Sequence, residues 1–159
     1  MELPLYHASF YTNRDSILTS GLQRDRKRLW NASIYNCVYL AWSSDDAIDW
    51  MVDWYRMKIF DITAPMYKTY EERVTSDAIK YAMERVEHIN DGLAVFEVDS
   101  DEFDVHFRDA DGSFLPRADC VIDEDVPPEK IKLIQYVNPE EVRDRILSSY
   151  GIRKWFLGL

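Results

Sequence analysis

The alternation of apolar and polar positions changes period repeatedly along this chain, and each change marks an expected element. Residues 4–9, from Pro4 to Ser9, read as a short strand. Thr12 or Asn13 can cap a helix through about Ser20, because a side-chain oxygen there accepts from the free N–H groups of the first turn, while Gly21 supplies a left-handed stop. Residues 23–36 read as a loop, and residues 37–42 as a second strand. Ser43 followed by Asp46 has capping-box spacing, with Asp in place of the usual Glu, so a helix starts there and runs to about Phe60. Its apolar residues form two stripes: Ala47, Ile48, Met51, Val52 and Tyr55 on one, Trp50, Trp54 and Met57 on the other. More than one face must be covered.

Residues 62–70 contain Pro65 and little periodicity, which predicts a connecting loop. From Thr75 or Ser76 to Asn90, the positions Ile79, Ala82, Met83, Val86 and Ile89 predict a second long helix, stopped at Asn90-Asp91-Gly92. The period then changes to strands over 93–98 and, more weakly, 103–107. Asp109-Ala110-Asp111-Gly112 is a turn by composition, followed by strands over 117–122 and 130–137 on either side of Val126-Pro127-Pro128. Asn138 caps a closing helix, with Pro139 at its first position, Glu140 and Glu141 at its positive end and Gly151 at its stop. The aromatic and apolar tail, 152–159, is expected to dock. Strand, helix, strand, two helices, several strands and a helix make an α+β order.

At 159 residues and 47% hydrophobic, the chain is expected to form one domain with ample material for a core. The formal net charge of −10, without a long basic tract, disfavours a general grip on nucleic-acid phosphates. The densest positive cluster, Arg24, Arg26, Lys27 and Arg28, is either a solvated run or a flap whose guanidinium groups meet a diphosphate in fork geometry. Cys37 and Cys120 lie in apolar strand-like runs, as buried free thiols do, which fits a reducing cytoplasm. No metal-ligand spacing, secretion signal or run of the roughly 20 apolar residues needed to span a bilayer is present, so neither a metal nor a membrane is expected.

Three phrases stand in an informative order: Leu5-Tyr6-His7-Ala8-Ser9, then Ile17-Leu18-Thr19-Ser20-Gly21-Leu22, then Val38-Tyr39-Leu40-Ala41-Trp42-Ser43. A strand ending in His-small-Ser, a short helix stopped by glycine and a strand with a central tyrosine can together form a cleft. This order resembles the opening half of an NAD-dependent ADP-ribosyltransferase domain, in the branch with a histidine, tyrosine and acid triad that includes diphtheria toxin and the poly(ADP-ribose) polymerases. The resemblance covers roughly Pro4 to Val137. It implies a single domain over 1–159 with an ADP-ribosyltransferase-like split β-sheet and flanking helices, a helical insertion at about 60–92, and a C-terminal helix at 138–150 outside the shared part.

The resemblance implies a role for each matching residue. His7 would bond a ribose hydroxyl of NAD, Ala8 stands where the family usually has glycine, and Ser9 matches the small hydroxyl residue that follows. Tyr39 matches the triad tyrosine and Trp50 the second aromatic of polymerase-like members, so the two would sandwich nicotinamide, and Arg24 and Arg26 would meet the diphosphate. Asp119, before the Val126-Pro127-Pro128-Glu129-Lys130-Ile131 phrase, is the candidate triad acid, one methylene shorter than the usual glutamate; Asp123, Glu124 and Asp125 are its neighbours in an expected turn. The implied activity is transfer of single ADP-ribose units from NAD to a macromolecule, protein rather than nucleic acid, as in a bacterial or phage effector. A catalytically degenerate module that binds NAD, ADP-ribose or a protein partner is the alternative. An RNA 2′-phosphotransferase fits less well, because His7 lies too near the start for the amino-terminal lobe of those enzymes. Read without the resemblance, His7 can be a strand histidine satisfied by backbone, Tyr39 and Trp50 can be core, and Asp119 a surface acid.

Overall fold

The computed structural model describes residues 4–24, 38–108, 119–122 and 124–152. In chain order its elements are β1 (Leu5–Phe10), a 3-10 turn (Tyr11–Asn13), α1 (Arg14–Ser20), β2 (Val38–Leu40), α2 (Ser44–Thr63), α3 (Tyr70–Arg73), α4 (Ser76–Met83), β3 (Leu93–Val98), β4 (Val105–Arg108), β5 (Asp119–Ile122), a second 3-10 turn (Pro128–Lys130), β6 (Ile131–Val137) and α5 (Pro139–Ser149). Helices and strands are mixed, as an α+β order requires.

The strands form two antiparallel three-stranded sheets, β1-β3-β6 and β2-β5-β4. Leu5 to Phe10 pair in unbroken register with Val98 to Leu93, and β3 pairs on its other side with β6 across a register shift at Val95/Phe96. Successive side chains of a strand face opposite ways, so buried β3 serves two cores. Leu93 and Val95 face Ile48, Val52, Tyr55, Ile79, Met83 and Ile146 of the long helices. Ala94, Phe96 and Val98 face Leu5, Ile17, Val38, Leu40 and Ile122, so the second sheet and α1 cover that side. Among the described residues the two sheets share one backbone bridge pair, Tyr6 with Ala41, whose N–H groups donate to each other's carbonyl at 2.9 and 2.8 Å.

Local chemistry sets three helix starts. Ser43 Oγ accepts from the Asp46 N–H at 3.0 Å, Thr75 Oγ1 from Ala78 at 3.2 Å and Asn138 Oδ1 from Glu141 at 2.8 Å. The expected cap at Thr12 or Asn13 is not made: Asn13 Nδ2 donates to Ser9 Oγ instead, and a 3-10 turn precedes the helix. Past Phe60, α2 continues to Thr63, whose buried hydroxyl donates to the Ile59 carbonyl, and the expected loop at 62–70 leads into the short α3.

The predicted helix to Asn90 ends at Met83, and residues 84–91 turn. Distant partners seize that segment: Tyr55 Oη donates to the His88 carbonyl at 3.0 Å, and Arg143 bonds the carboxylate of Glu84 and the amide of Asn90. His88 adopts φ 68, with its ring stacked on Phe10 at 4.2 Å. Val86 and Ile89 stay buried, so the helical spacing marked burial without marking helix. Arg26, Lys27, Arg28, Cys37, the 109–112 turn, Asp123 and the tail from 153 onward lie outside the described residues, whereas Ile152 is buried.

Gly21 closes α1 at φ 81, ψ −171, a combination essentially reserved for glycine rather than the left-handed hook expected from sequence. A Cβ there would also stand 2.0 Å from the Val126 carbonyl oxygen, while one on Gly151, at φ 74, would meet nothing within 4 Å. Gly21→Ala is therefore expected to cost at least about 2 kcal/mol, and Gly151→Ala about 1 kcal/mol. Urea unfolding of both variants checks this, and equal losses would contradict the close approach at Val126.

Candidate functional site

A cleft of about 410 Å³ opens between β1, α1, β2 and the start of α2. His7, Ala8 and Ser9 line it from β1, Tyr39 from β2 and Trp50 from α2. Three further polar residues, Asn13, Ser16 and Ser20, line it from α1 and its preceding turn. Their spacing puts them on one helix face, a signal legible in the sequence that its reading as a simple capped helix passed over.

His7 shares the strand face of Leu5, toward the second sheet. Its Nδ1 lies 3.0 Å from the Tyr39 carbonyl oxygen. A carbonyl can only accept, so Nδ1 carries the hydrogen. Burial lowers the His7 pKa below its ordinary value and outweighs the opposing effect of the Tyr39 hydrogen bond, so the ring is neutral at pH 7. In a neutral ring with Nδ1 protonated, Nε2 is an acceptor for a hydroxyl donor.

That side-chain bond replaces a backbone one. Tyr6 spends its N–H and C=O on Ala41, so in β1 the even-numbered residues direct their polar backbone toward β2 and the odd-numbered ones toward β3. The next ladder pair would join Ala8 to Tyr39, but His7 has taken the Tyr39 carbonyl and no Ala8–Tyr39 backbone bond forms. Ala8 thus turns a donor and an acceptor, an N–H and a C=O, into the cleft that it lines, while its methyl group packs against the helix-side core.

Tyr39 and Trp50 meet with ring centroids 5.3 Å apart and planes tilted by 47°. A ring held between two others needs roughly 7 Å, twice a van der Waals contact of about 3.5 Å. The expected sandwich is therefore corrected to a single tilted pair. Ser9 Oγ accepts from Asn13, which ties β1 to the turn before α1.

The two remaining parts of the expected constellation are placed differently. Arg24 is absent from the cleft wall: its backbone N–H donates to Asp125 Oδ1 at 2.8 Å and its Nε to the same oxygen at 3.3 Å. Arg26 lies outside the described residues. Asp119 begins β5, paired with Arg108 of β4 and two positions before Val121, the partner of Tyr39; its backbone alone is described. Among the described residues the wall holds no Lys, Arg, Asp or Glu. Among the described residues, no group of three or more His, Cys, Asp or Glu could hold a metal ion, and no helix is long and apolar enough to cross a membrane.

No protein-family model matches this chain, and no curated protein does. The chemistry of the cleft is accordingly read from its own residues.

A histidine whose folded pKa is depressed binds fewer protons in the folded than in the unfolded state, so stability rises with pH. Its contribution is intact above the unfolded value near 6.5 and is lost as pH falls below that value toward the folded one. Urea unfolding of wild type and His7→Gln between pH 7.5 and about 5 should show a shallower loss for the variant. Parallel profiles would mean that His7 is not desolvated.

Proposed function

We propose that this chain is an NAD-dependent mono-ADP-ribosyltransferase acting on a macromolecular target, with the cleft between β1 and β2 as its nicotinamide site and the two sheets as an ADP-ribosyltransferase-like split sheet. The observation that carries this reading is the freed backbone of Ala8 beside His7 and the Tyr39–Trp50 pair. A primary carboxamide is one acceptor and one donor on a planar ring, which complements an N–H, a C=O and an aromatic face. The acceptor at His7 Nε2 suits a ribose hydroxyl on the same ligand.

In the proposed reaction, the bond between the ribose anomeric carbon and the nicotinamide nitrogen breaks, and its electron pair neutralises the pyridinium ring. Departure needs no general acid, because the leaving group already carries the positive charge. The sugar becomes oxocarbenium-like; an acceptor nucleophile attacks the anomeric carbon and releases a proton. His7 and Ala8 orient the sugar and the amide, the aromatic pair holds the ring by stacking and cation–π attraction of about 0.5 to 2 kcal/mol, and Asp119 supplies the carboxylate that stabilises the cationic sugar.

A second reading, a binding module without transferase activity, is favoured by one specific observation: Arg24, the described candidate for the diphosphate, is engaged by Asp125. The two readings separate cleanly. Purified protein given isotopically labelled NAD and a lysate is expected to label a macromolecule and release nicotinamide, and Asp119→Ala and His7→Ala are expected to abolish labelling with the fold intact by circular dichroism. Saturable NAD binding without nicotinamide release selects the binding module, and absence of NAD binding removes both. Trp50→Leu should weaken NAD binding by about 2- to 30-fold, the equivalent of the lost ring contact.

A further inference from the structure

A second cavity, of about 400 Å³, lies on the far side of α2, walled by the second half of that helix, by α3, by the start of α4 and by Tyr150 after α5. That volume is within the roughly 300–1,000 Å³ of small-molecule sites. Its wall is apolar along Met57, Ile59, Phe60, Val74 and Ile79. Phe60 and Tyr70 remain 50% and 62% exposed at its rim. Asp53, Arg56 and Thr63 also line it, and Arg73 enters beside the apolar stretch with its guanidinium carbon 5.4 Å from the Phe60 ring centroid.

Arg73 is held but not neutralised. Its Nε donates to the Tyr67 carbonyl at 3.1 Å and Nη2 to the Lys68 carbonyl at 3.4 Å, so two carbonyls occupy one edge of the fork. No carboxylate of a described residue pairs with it, and the Nη1–Nη2 edge is left to offer two parallel N–H groups. A half-buried cation fixed by backbone carbonyls and bordered by aromatic rings complements a ligand with a carboxylate at one end and a flat apolar body.

We propose that this groove is a second ligand site, separate from the β1–β2 cleft, for a small aromatic carboxylate: the carboxylate lies on the open edge of Arg73 and the ring against Phe60, Met57 and Ile79. The proposal is independent of the transferase reading. 1-Naphthylacetate serves as the probe, with its uncharged amide as the matched control, in calorimetric titrations of the full chain. The acid is expected to bind saturably at one site, and the amide to bind about tenfold more weakly or worse, as loss of a charge-assisted pair requires. Arg73→Met should weaken the acid by a similar factor; since Arg73 also holds the 67–68 backbone, Val74→Trp provides a second variant that fills the groove and leaves the guanidinium in place, and it should abolish binding. His7→Ala, which alters the other cleft, should bind the acid like wild type. Equal binding of acid and amide, undiminished binding to Val74→Trp, or loss of binding in His7→Ala would overturn the assignment.

Discussion

Two backbone hydrogen bonds between Tyr6 and Ala41 are the only ladder contact between the β1-β3-β6 sheet and the β2-β5-β4 sheet among the described residues, and the arrangement of the cleft depends on them. They hold the strands at one end. One step further along, His7 Nδ1 donates to the Tyr39 carbonyl, and the β1–β2 pairing goes no further than Tyr6 and Ala41. A joint that closes at one residue pair and opens at the next makes a wedge-shaped gap, and the gap inherits whatever β1 and β2 cannot bond to each other. The Ala8 amide and carbonyl are that remainder. Half-buried and lining the cleft, these two groups are placed where a ligand amide can bond them.

The wedge is braced from both sides. On the β3 side, β1 is paired along its whole length with a strand whose residues are nearly all buried, which keeps the backbone of His7 and Ala8 from shifting to repair the missing ladder bond. On the helix side, Phe10 lies edge-on to Trp54 and stacks on His88, while Ala8 packs against the same core. Ser9 is tied to Asn13. The unfinished ladder thus sits on a strand paired along its whole length on the other side, a rigid support for polar groups that meet a ligand.

What was legible in the sequence was what local chemistry decides. Ser43 and Asn138 cap the helices they were expected to cap, because the group that each side chain satisfies lies within three residues of it. The order of strands and helices was legible for the same reason, apart from the short α3. What failed depends on partners far along the chain. The helix expected to reach Asn90 stops early because Tyr55 and Arg143, 33 residues before His88 and 59 residues after Glu84, bind the turn that replaces it. Arg24 looks like a free cation in a basic run, and its partner is Asp125, 101 positions away. The gathering of His7, Tyr39 and Trp50 could be anticipated only through a family resemblance; nothing in the spacing of three separated residues states that they share a cavity. That the histidine side chain, and not the strand backbone, takes the Tyr39 carbonyl has no signature in the sequence.

The charge of the cleft constrains how such a site would hold its ligand. A described wall without a Lys, Arg, Asp or Glu can recognise hydroxyls, an amide and a planar ring, but it offers no fixed counter-charge to a diphosphate. In a protein of net charge −10 the surrounding field also opposes an approaching anion. On the proposed reading, then, specificity resides in the nicotinamide ribose end of NAD, where the fixed groups are neutral and oriented, and the phosphates stay close to solvent. Such a division favours the chemistry. Contacts concentrated on the ring and sugar act on the bond that breaks, and a neutral His7 beside the developing positive charge avoids the repulsion that a protonated imidazole would add.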